Sequence, residues 1–148
     1  MPFRFPLQAV LHLRQSIEHQ QDLRLHAANQ QVAGVRQLVH RLDGSLKDLR
    51  HESSQELESG TNAASMRFAL ELESNLVARR RELEDELLRV TQIRDHQRKA
   101  VEQVRREREK FEILYQRDLR EYEIQQSRRE QKFLDELFLS QQAFHKRR

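Results

Sequence analysis

One apolar stripe constrains the fold of this chain more than any other feature of its sequence. From residue 25 to residue 49, apolar side chains recur in alternating steps of three and four residues without interruption. The positions are Leu25, Ala28, Val32, Val35, Val39, Leu42, Leu46 and Leu49. This spacing brings all of them to one narrow face of an α-helix, which is typical of a coiled-coil seam. Because the spacing continues across Gly44, we predict an unbroken helix in which this glycine faces solvent.

Toward the N-terminus the apolar positions change face. Val10, Leu13 and Ile17 continue the stripe, and they join the later seam only through two successive steps of four residues across Gln21. Such a shift is typical of a stutter, at which a coiled coil locally unwinds. We therefore predict that these three apolar residues pack in the seam.

The boundaries of the helices follow from the few helix-breaking residues. Pro6 suits the first turn of a helix, where its missing N–H would have no partner. The next strong break is Ser59-Gly60-Thr61-Asn62, whose residues end helices, allow positive φ and can cap a new helix. We predict helix 1 at about residues 6–58, a turn at about 59–62 and helix 2 at about 63–144.

The second helix carries a weaker stripe. Seven apolar residues share one heptad frame, but Arg94, Gln97 and Arg108 occupy positions between them. The apolar members are Leu83, Leu87, Val90, Val101, Val104, Phe111 and Tyr115. Polar residues in a seam can fix register and orientation, which favours one specific antiparallel pairing of the two helices.

The composition agrees with two paired helices rather than a globule. Hydrophobic residues make up 36% of the 148 residues and charged residues 34%, which suits one narrow buried stripe per helix. Acid-base pairs four residues apart, such as Asp43 with Lys47 and Asp85 with Arg89, are expected on the exposed faces. The predicted fold is all-α: an elongated two-helix antiparallel coiled-coil hairpin with a longer second helix, in one domain over residues 1–148.

The two arms of this hairpin are predicted to be unequal. Folding the chain at the turn leaves helix 1 ending opposite about residue 116, so residues from about 117 to 144 overhang. The overhang contains a cluster of apolar side chains, namely Phe133, Leu134, Leu137, Phe138, Leu139 and Phe144. Nothing in the hairpin is expected to cover this cluster, which favours an external partner. A frayed end and self-association of two overhangs are the alternatives.

The sequence carries no pattern of a catalytic or metal site. His12, His19, His26 and His40 share a seven-residue grid, but ligands of one metal ion on a helix must lie three or four residues apart. The chain has no cysteine, no Gly-rich phosphate loop and no nucleophile elbow. We therefore expect no enzymatic activity, no metal and no cofactor.

Charge and hydropathy limit the other partners. The formal net charge is +3, and basic runs alternate with acids except at residues 146–148. Alternation is typical of a solvated helix face, so nucleic-acid binding is not expected, although the last run leaves nucleic acid or anionic lipid open. No apolar run reaches the roughly 18 residues of a membrane span, so a soluble protein is expected. The acid-free start leaves a mitochondrial presequence as an alternative to an ordinary helix start.

Three short motifs together indicate a family. The start FRFPLQAVLHLR carries Phe5, Leu7, Val10, Leu11 and Arg14, and the turn stretch SGTNAASMRF leads to the pair Arg67 and Phe68. The end REQKFLDEL carries Gln131, Lys132, Asp135 and Glu136. These motifs resemble the start, the hairpin turn and the C-terminal signature of the flagellar export protein FliJ family, and the resemblance covers essentially the whole chain.

The resemblance implies a place and a function for the hairpin. It implies a coiled coil similar to the γ-subunit stalk of rotary ATPases, in the cytoplasm at the inner face of the bacterial cell membrane, at the flagellar base. Such a stalk of the flagellar type III export apparatus would bind and stimulate the export ATPase FliI. It would also link that ATPase to the export gate protein FlhA and escort export chaperones, and it would be a monomer when free.

Two sets of residues would make these contacts according to the resemblance. The ATPase-binding set lies at the open end and comprises Phe5, Leu7, Gln131, Lys132, Phe133, Leu134, Asp135, Glu136, Leu137 and Phe138. The gate-binding set follows the turn and comprises Arg67, Phe68, Leu72 and Leu76. Two other functions stay open from the sequence. One is a structural coiled-coil protein that homo-oligomerises, and the other is the equivalent stalk of an injection-type secretion system.

Overall fold

Two helices account for nearly all of the residues that the structure describes. The structure is a computed structural model, and it describes residues 1–146. Helix α1 spans Gln8–Ser59, with 52 residues, and helix α2 spans Ala63–Lys146, with 84 residues. No strand occurs among these described residues, so the fold is all-α with a longer second helix, as predicted. Residues 1–7 precede α1 without helical structure.

The turn between the helices uses the breaking residues of the sequence. Gly60 has a φ of 87°, a left-handed conformation that ends α1 at little steric cost for a glycine. The hydroxyl of Ser59 donates to the carbonyl oxygens of Gln55 and Glu56 in the last turn of α1. The Oδ1 atom of Asn62 accepts a 2.8 Å hydrogen bond from the backbone N–H of Ser65 and caps α2. The turn therefore closes the hairpin with local hydrogen bonds.

The chain divides into two compact units, and both helices contribute to each unit. We call Gln20–Glu102 the hairpin unit and Met1–His19 with Gln103–Arg148 the terminal unit. In the hairpin unit, contacts across the helices run antiparallel. Arg50 bonds Glu73 at 2.7 Å, Arg80 bonds Asp43 at 2.5 Å, and Gln97 bonds Gln21 at 2.7 Å. The first two contacts lie seven residues apart on both helices, as in a coiled-coil hairpin.

The core of the hairpin unit consists of the predicted seam. Ala28, Val32 and Leu46 of α1 are buried, and the remaining members of the stripe from Leu25 to Leu49 are half-buried. Their counterparts on α2 are Leu83, Val90 and Val101, which are also buried. Gly44 lies in an unbroken helix with open space around its Cα. The stripe thus packs as its spacing predicted.

The expected pairing of charges four residues apart was partly wrong. Asp43 accepts a hydrogen bond from Arg80 of the other helix, because the hairpin brings this guanidinium alongside it. Arg89 bonds both carboxylate oxygens of Glu86 three residues before it, rather than Asp85. A bidentate contact of this kind satisfies more donors than a single bond to Asp85 would.

The terminal unit is held by polar contacts as much as by apolar ones. Phe5 and Leu11 are buried, Ile17 is half-buried, and the charged residues Arg14 and Glu18 also face α2. Glu18 accepts hydrogen bonds from Arg108 at 2.5 Å and from Arg105 at 3.2 Å. Arg14 donates to Glu107 at 2.5 Å, and its guanidinium lies 5.9 Å from the centre of the Phe111 ring. Arg108, a predicted polar seam residue of α2, is therefore paired across the helices.

The predicted change of face near Gln21 was wrong at Leu13. Val10 and Ile17 are half-buried, as predicted, whereas Leu13 is exposed. Leu11 is buried, and Arg14 and Glu18 are half-buried. These three positions and Gln21 continue the heptad frame of the later seam in steps of three and four. The inner face of α1 therefore includes polar residues beside Val10 and Ile17. Ion pairs and an amide contact connect these polar residues to α2, whereas the Nε atom of Arg14 is buried without a hydrogen-bond partner within residues 1–146.

Aromatic rings connect residues 1–7 to α2. Phe5 lies edge-on to Tyr115 with 5.3 Å between ring centroids, and Phe3 lies 5.6 Å from Tyr115 and 5.4 Å from Tyr122. The hydroxyl of Tyr122 donates to the carbonyl oxygen of Met1. The non-helical segment thus covers α2 as far as Tyr122, within the stretch that the sequence analysis expected to overhang.

Candidate docking surfaces

The last part of α2 presents the most apolar exposed surface of the terminal unit. From residue 127 to residue 146 every side chain is exposed. We define the tail surface as Phe133, Leu134, Leu137 and Phe138, which are 61%, 63%, 43% and 60% exposed. Their spacing of one, four and five residues places them on one side of the helix. The tail surface therefore resembles the apolar face of an amphipathic helix that docks in a groove of another protein.

Polar residues border the tail surface. Gln131, Lys132, Asp135 and Glu136 are exposed, and none of them makes a side-chain hydrogen bond or ion pair within the described part of the chain. An apolar centre with a polar border of both charges is the usual composition of a protein interface. All eight predicted site residues in this stretch therefore lie together on one exposed helical segment.

The other two residues of the predicted ATPase-binding set lie at another level of α2. Phe5 is 7% exposed and packs on Tyr115, which precedes Phe133 by about 27 Å of helix. Leu7, at the end of the non-helical segment, is exposed. The structure does not bring Phe5 and Leu7 next to the tail surface. Phe5 is a packing residue, and only Leu7 has free surface.

Sequence reasoning missed the partners that hold Phe5. Phe3 and Tyr122 complete the aromatic cluster with Tyr115, and neither entered the predicted seam. The signal was present, because Tyr115 and Tyr122 lie seven residues apart on the heptad frame of α2. The alternation of Phe3 and Phe5 before Pro6 also indicated an extended segment with one apolar side.

The second candidate surface follows the turn, in the hairpin unit. Phe68 is 68% exposed, Leu72 is exposed and Leu76 is half-buried, in steps of four residues along one face of α2. Phe68 and Leu72 line a groove of about 500 Å³ whose other wall comes from α1 at Leu49 and Ser53. Arg67 is exposed beside Phe68. The predicted gate-binding set thus lies in one continuous stretch of α2. Three of its residues are exposed, and Leu76 is half-buried.

Packing between the helices is loose at this end of the hairpin unit. No residue between Leu46 and Leu83 is buried. A second groove, of about 230 Å³, lies between the helices beside Leu57, Met66 and Leu70. Small side chains such as Ser53, Ser54 and Ala69 leave these grooves open, because they do not fill the space between the helices.

Two ion pairs of the hairpin unit shift the pKa values of their members. A hydrogen bond from Arg80 lowers the pKa of the Asp43 carboxyl, and the same contact raises the pKa of Arg80. In the pair of Glu86 and Arg89, the bidentate hydrogen bond lowers the pKa of the Glu86 carboxyl and raises the pKa of Arg89. Both shifts strengthen the ionic forms, so neither group becomes a proton donor or acceptor near neutral pH.

Two of the four histidines that share a seven-residue grid contact glutamine side chains. His12 lies 2.9 Å from the amide nitrogen of Gln8, and His26 lies 3.2 Å from that of Gln30. Within residues 1–146, no three His, Asp or Glu side chains come together in an arrangement that could hold a metal ion. In the same range, no helix has an apolar stretch long enough to cross a bilayer.

A family comparison agrees with this arrangement of helices and motifs. The sequence profile of the family described as Flagellar FliJ protein matches residues 3–148. This chain belongs to the FliJ family. Members of the FliJ family are non-catalytic components of the flagellar type III export apparatus, which places this chain in flagellar protein export. No curated protein and no solved structure matches the chain.

Proposed function

We propose that this FliJ family protein binds and stimulates the flagellar export ATPase FliI through the tail surface. The observation that supports this proposal is the exposure of Phe133, Leu134, Leu137 and Phe138 in the last part of α2. A bare stripe of this kind fits a groove in a partner. Full burial of one such side chain contributes about 1.5 to 3 kcal/mol, so four can support a specific complex.

The mode of stimulation follows from what a helical hairpin can do. A partner that supplies no reacting group stimulates an ATPase by binding some of its states more tightly than others. If the tail surface contacts several ATPase subunits at once, binding favours the assembled ring over separated subunits. Stimulation would then rise with the concentration of this protein and saturate when every ring is occupied.

In this proposal the N-terminal segment contributes through Leu7 and through the packing of Phe5. Leu7 offers exposed apolar surface, whereas Phe5 holds residues 1–7 against Tyr115. Gln131, Lys132, Asp135 and Glu136 would form the polar rim around the apolar centre. The protein would be a monomer when free, in the cytoplasm beside the membrane at the flagellar base.

ATP hydrolysis by purified FliI tests this proposal. Leu137→Asp with Phe138→Asp places two charges in the tail surface, and a chain ending at residue 127 removes it. Both are expected to abolish the stimulation that the intact chain gives. Leu23→Asp with Leu38→Asp is the matched control, since these two leucines are equally exposed on α1 in the hairpin unit. Full stimulation by the chain ending at residue 127 would contradict the proposal.

We further propose that the surface after the turn contacts the export gate protein FlhA. Phe68 and Leu72 supply exposed apolar contact beside a groove, Arg67 supplies a cation, and Leu76 continues the same face. Phe68→Ala with Leu72→Ala is expected to weaken capture of the cytoplasmic part of FlhA by about tenfold or more. Leu88→Ala, an equally exposed leucine farther along α2, is the control. Unchanged capture would reject this surface. Escort of export chaperones belongs to the same proposal, without assigned residues.

The rival to this function is a structural protein that homo-oligomerises through its tail surfaces. Light scattering of the isolated protein separates the two, because a dimer would bury Phe133 and Phe138 against a second copy. We expect the mass of one chain over a wide range of concentration. A stable dimer that dissociates on Leu137→Asp with Phe138→Asp would favour the rival.

A further inference from the structure

The outer face of α2 in the terminal unit carries a second ordered pattern. Seven exposed side chains lie there on one face, in steps of four, three, four, three, four and four residues. We call them the outer basic stripe: Arg106, Lys110, Ile113, Arg117, Arg120, Ile124 and Arg128. The stripe lies opposite the half-buried positions of the seam, such as Arg108 and Tyr115. Five of its members are cations and two are isoleucines.

The acidic residues between these cations are partly engaged elsewhere. Glu107 accepts the hydrogen bond of Arg14, and Glu112 lies 3.9 Å from Arg108. The exposed acids Glu109 and Glu121 lie at the edges of the outer basic stripe and not along its middle. Helical geometry therefore separates charges that alternate in sequence, and the outer face keeps an excess of positive charge.

The isoleucines give this face an apolar component. Ile113 is 68% exposed and Ile124 is also exposed, eleven residues apart, which is about 16 Å along the helix. Both line a shallow groove of about 490 Å³ together with Arg117 and Arg120, and the acids Glu112 and Glu121 also line it. Arg117 contacts Asp118 beside it, whereas Arg106, Lys110 and Arg120 make no side-chain hydrogen bond or ion pair within residues 1–146.

We propose that the outer basic stripe binds an acidic amphipathic helix of a partner protein. Cations in heptad spacing around two isoleucines complement a helix that carries carboxylates and apolar residues at the same spacing. The stripe is about 33 Å long, which matches a partner helix of about 22 residues. This surface is separate in sequence from the tail surface and from Phe68 and Leu72, so the inference goes beyond the proposed function.

Two other ligands fit this face less well. A membrane-surface helix needs a broad apolar face, and two isoleucines in 23 residues do not provide one. Single-stranded nucleic acid needs aromatic rings for stacking, but Phe111, Tyr115 and Tyr122 are turned toward the seam. Charge complementarity with two apolar anchors therefore favours a protein helix.

Fluorescence anisotropy with a labelled peptide tests the proposal on the full chain. The probe is a designed helical peptide of 22 residues with Glu and Leu in heptad spacing, and a scrambled peptide of the same composition is its control. Arg106→Glu with Arg120→Glu is expected to weaken binding at least about tenfold. Arg24→Glu with Arg36→Glu makes the same charge change on α1 and should leave binding nearly unchanged. Ile113→Ser is expected to weaken binding by about threefold or more.

Each alternative has its own outcome in this experiment. Equal binding of the scrambled peptide, or equal loss in the α1 control, would mean attraction by net charge and would overturn the proposal. Binding of phosphatidylglycerol vesicles or of an oligonucleotide, with no binding of the helical peptide, would also overturn it. So would a dimer of the protein alone that Arg106→Glu with Arg120→Glu dissociates. Leu137→Asp with Phe138→Asp should leave peptide binding intact, which separates this test from that of the tail surface.

Discussion

Two stretches of α2 in the terminal unit carry similar aromatic residues in opposite environments. Tyr115 and Tyr122 are half-buried under Phe3 and Phe5, whereas Phe133 and Phe138 are about 60% exposed. The exposed stretch is at least as apolar as the covered one, so hydrophobicity does not decide which is buried. Coverage depends on how far residues 1–7 reach along α2. Packing within the fold therefore does not explain the apolar residues of the tail surface, and this supports the binding of a partner there.

The largest expected difference between the two stretches is in stability. Phe5→Ala removes a buried ring from its contact with Tyr115 and should lower the free energy of unfolding by about 3 kcal/mol. Phe133→Ala removes an equally large ring from solvent and should change it by less than about 0.5 kcal/mol. Urea unfolding followed by circular dichroism measures both. Equal losses would mean that the tail surface is packed in solution.

Charged contacts in the covered stretch should contribute less than Phe5 but remain measurable. Glu18→Ala leaves Arg105 and Arg108 without their shared acceptor and should cost about 1.5 kcal/mol in the same urea experiment. Glu109→Ala, an exposed acid on α2, is the control and should cost less than about 0.5 kcal/mol. If the two losses agree, the polar part of the seam is not a specific contact.

The hydroxyl of Tyr122 tests how far residues 1–7 cover α2. Tyr122→Phe removes the hydrogen bond to the carbonyl oxygen of Met1 and should cost about 1 kcal/mol. Tyr115→Phe removes a hydroxyl that makes no hydrogen bond within the described residues, so its effect should be near zero. Proteolysis of residues 1–7 should accelerate only in the first variant. If proteolysis accelerates in neither variant, residues 1–7 cover α2 only as far as Tyr115.

The smallest expected effect concerns an exposed ion pair of the hairpin unit. Arg80 lowers the pKa of Asp43 in the folded state, so this pair stabilises the fold above the unfolded carboxyl pKa. That contribution is lost as the pH falls through the lower folded pKa. The stability difference between the protein and Asp43→Asn should therefore shrink between pH 6 and about pH 2.5. Asp48→Asn, at an exposed site of α1, should show no such trend. A constant difference for Asp43→Asn would mean that the pair does not form in solution.

The regular parts of the fold were predictable because one stripe and one turn specify them. Steps of three and four from Leu25 to Leu49 allow only one buried face, and Gly60 with Asn62 provides the conformation and the cap that a turn needs. Leu13 was placed wrongly because the prediction followed apolar residues. The seam there includes charged residues, and a pattern of hydrophobicity cannot detect Arg14 and Glu18 as inward-facing residues.

The candidate surfaces were also only partly predictable from the sequence. The four apolar residues of the tail surface were visible in sequence, since no arm of the predicted hairpin was long enough to cover them. Phe5 was visible as an apolar residue, but its burial against Tyr115 depends on the path of residues 1–7. The outer basic stripe was hidden, because its cations alternate with acids along the chain and separate from them only on a helix.

By itself the sequence determined the two helices, their seam and their turn. It also determined that α2 carries a stretch of apolar residues that α1 is too short to cover. Those features depend on local spacing and on residues next to one another in the chain. Only the tertiary structure decided which charges pair across the helices and that residues 1–7 cover α2 to Tyr122. Those outcomes depend on side chains about 90 to 120 residues apart, whose meeting is set by register and by the reach of a non-helical segment.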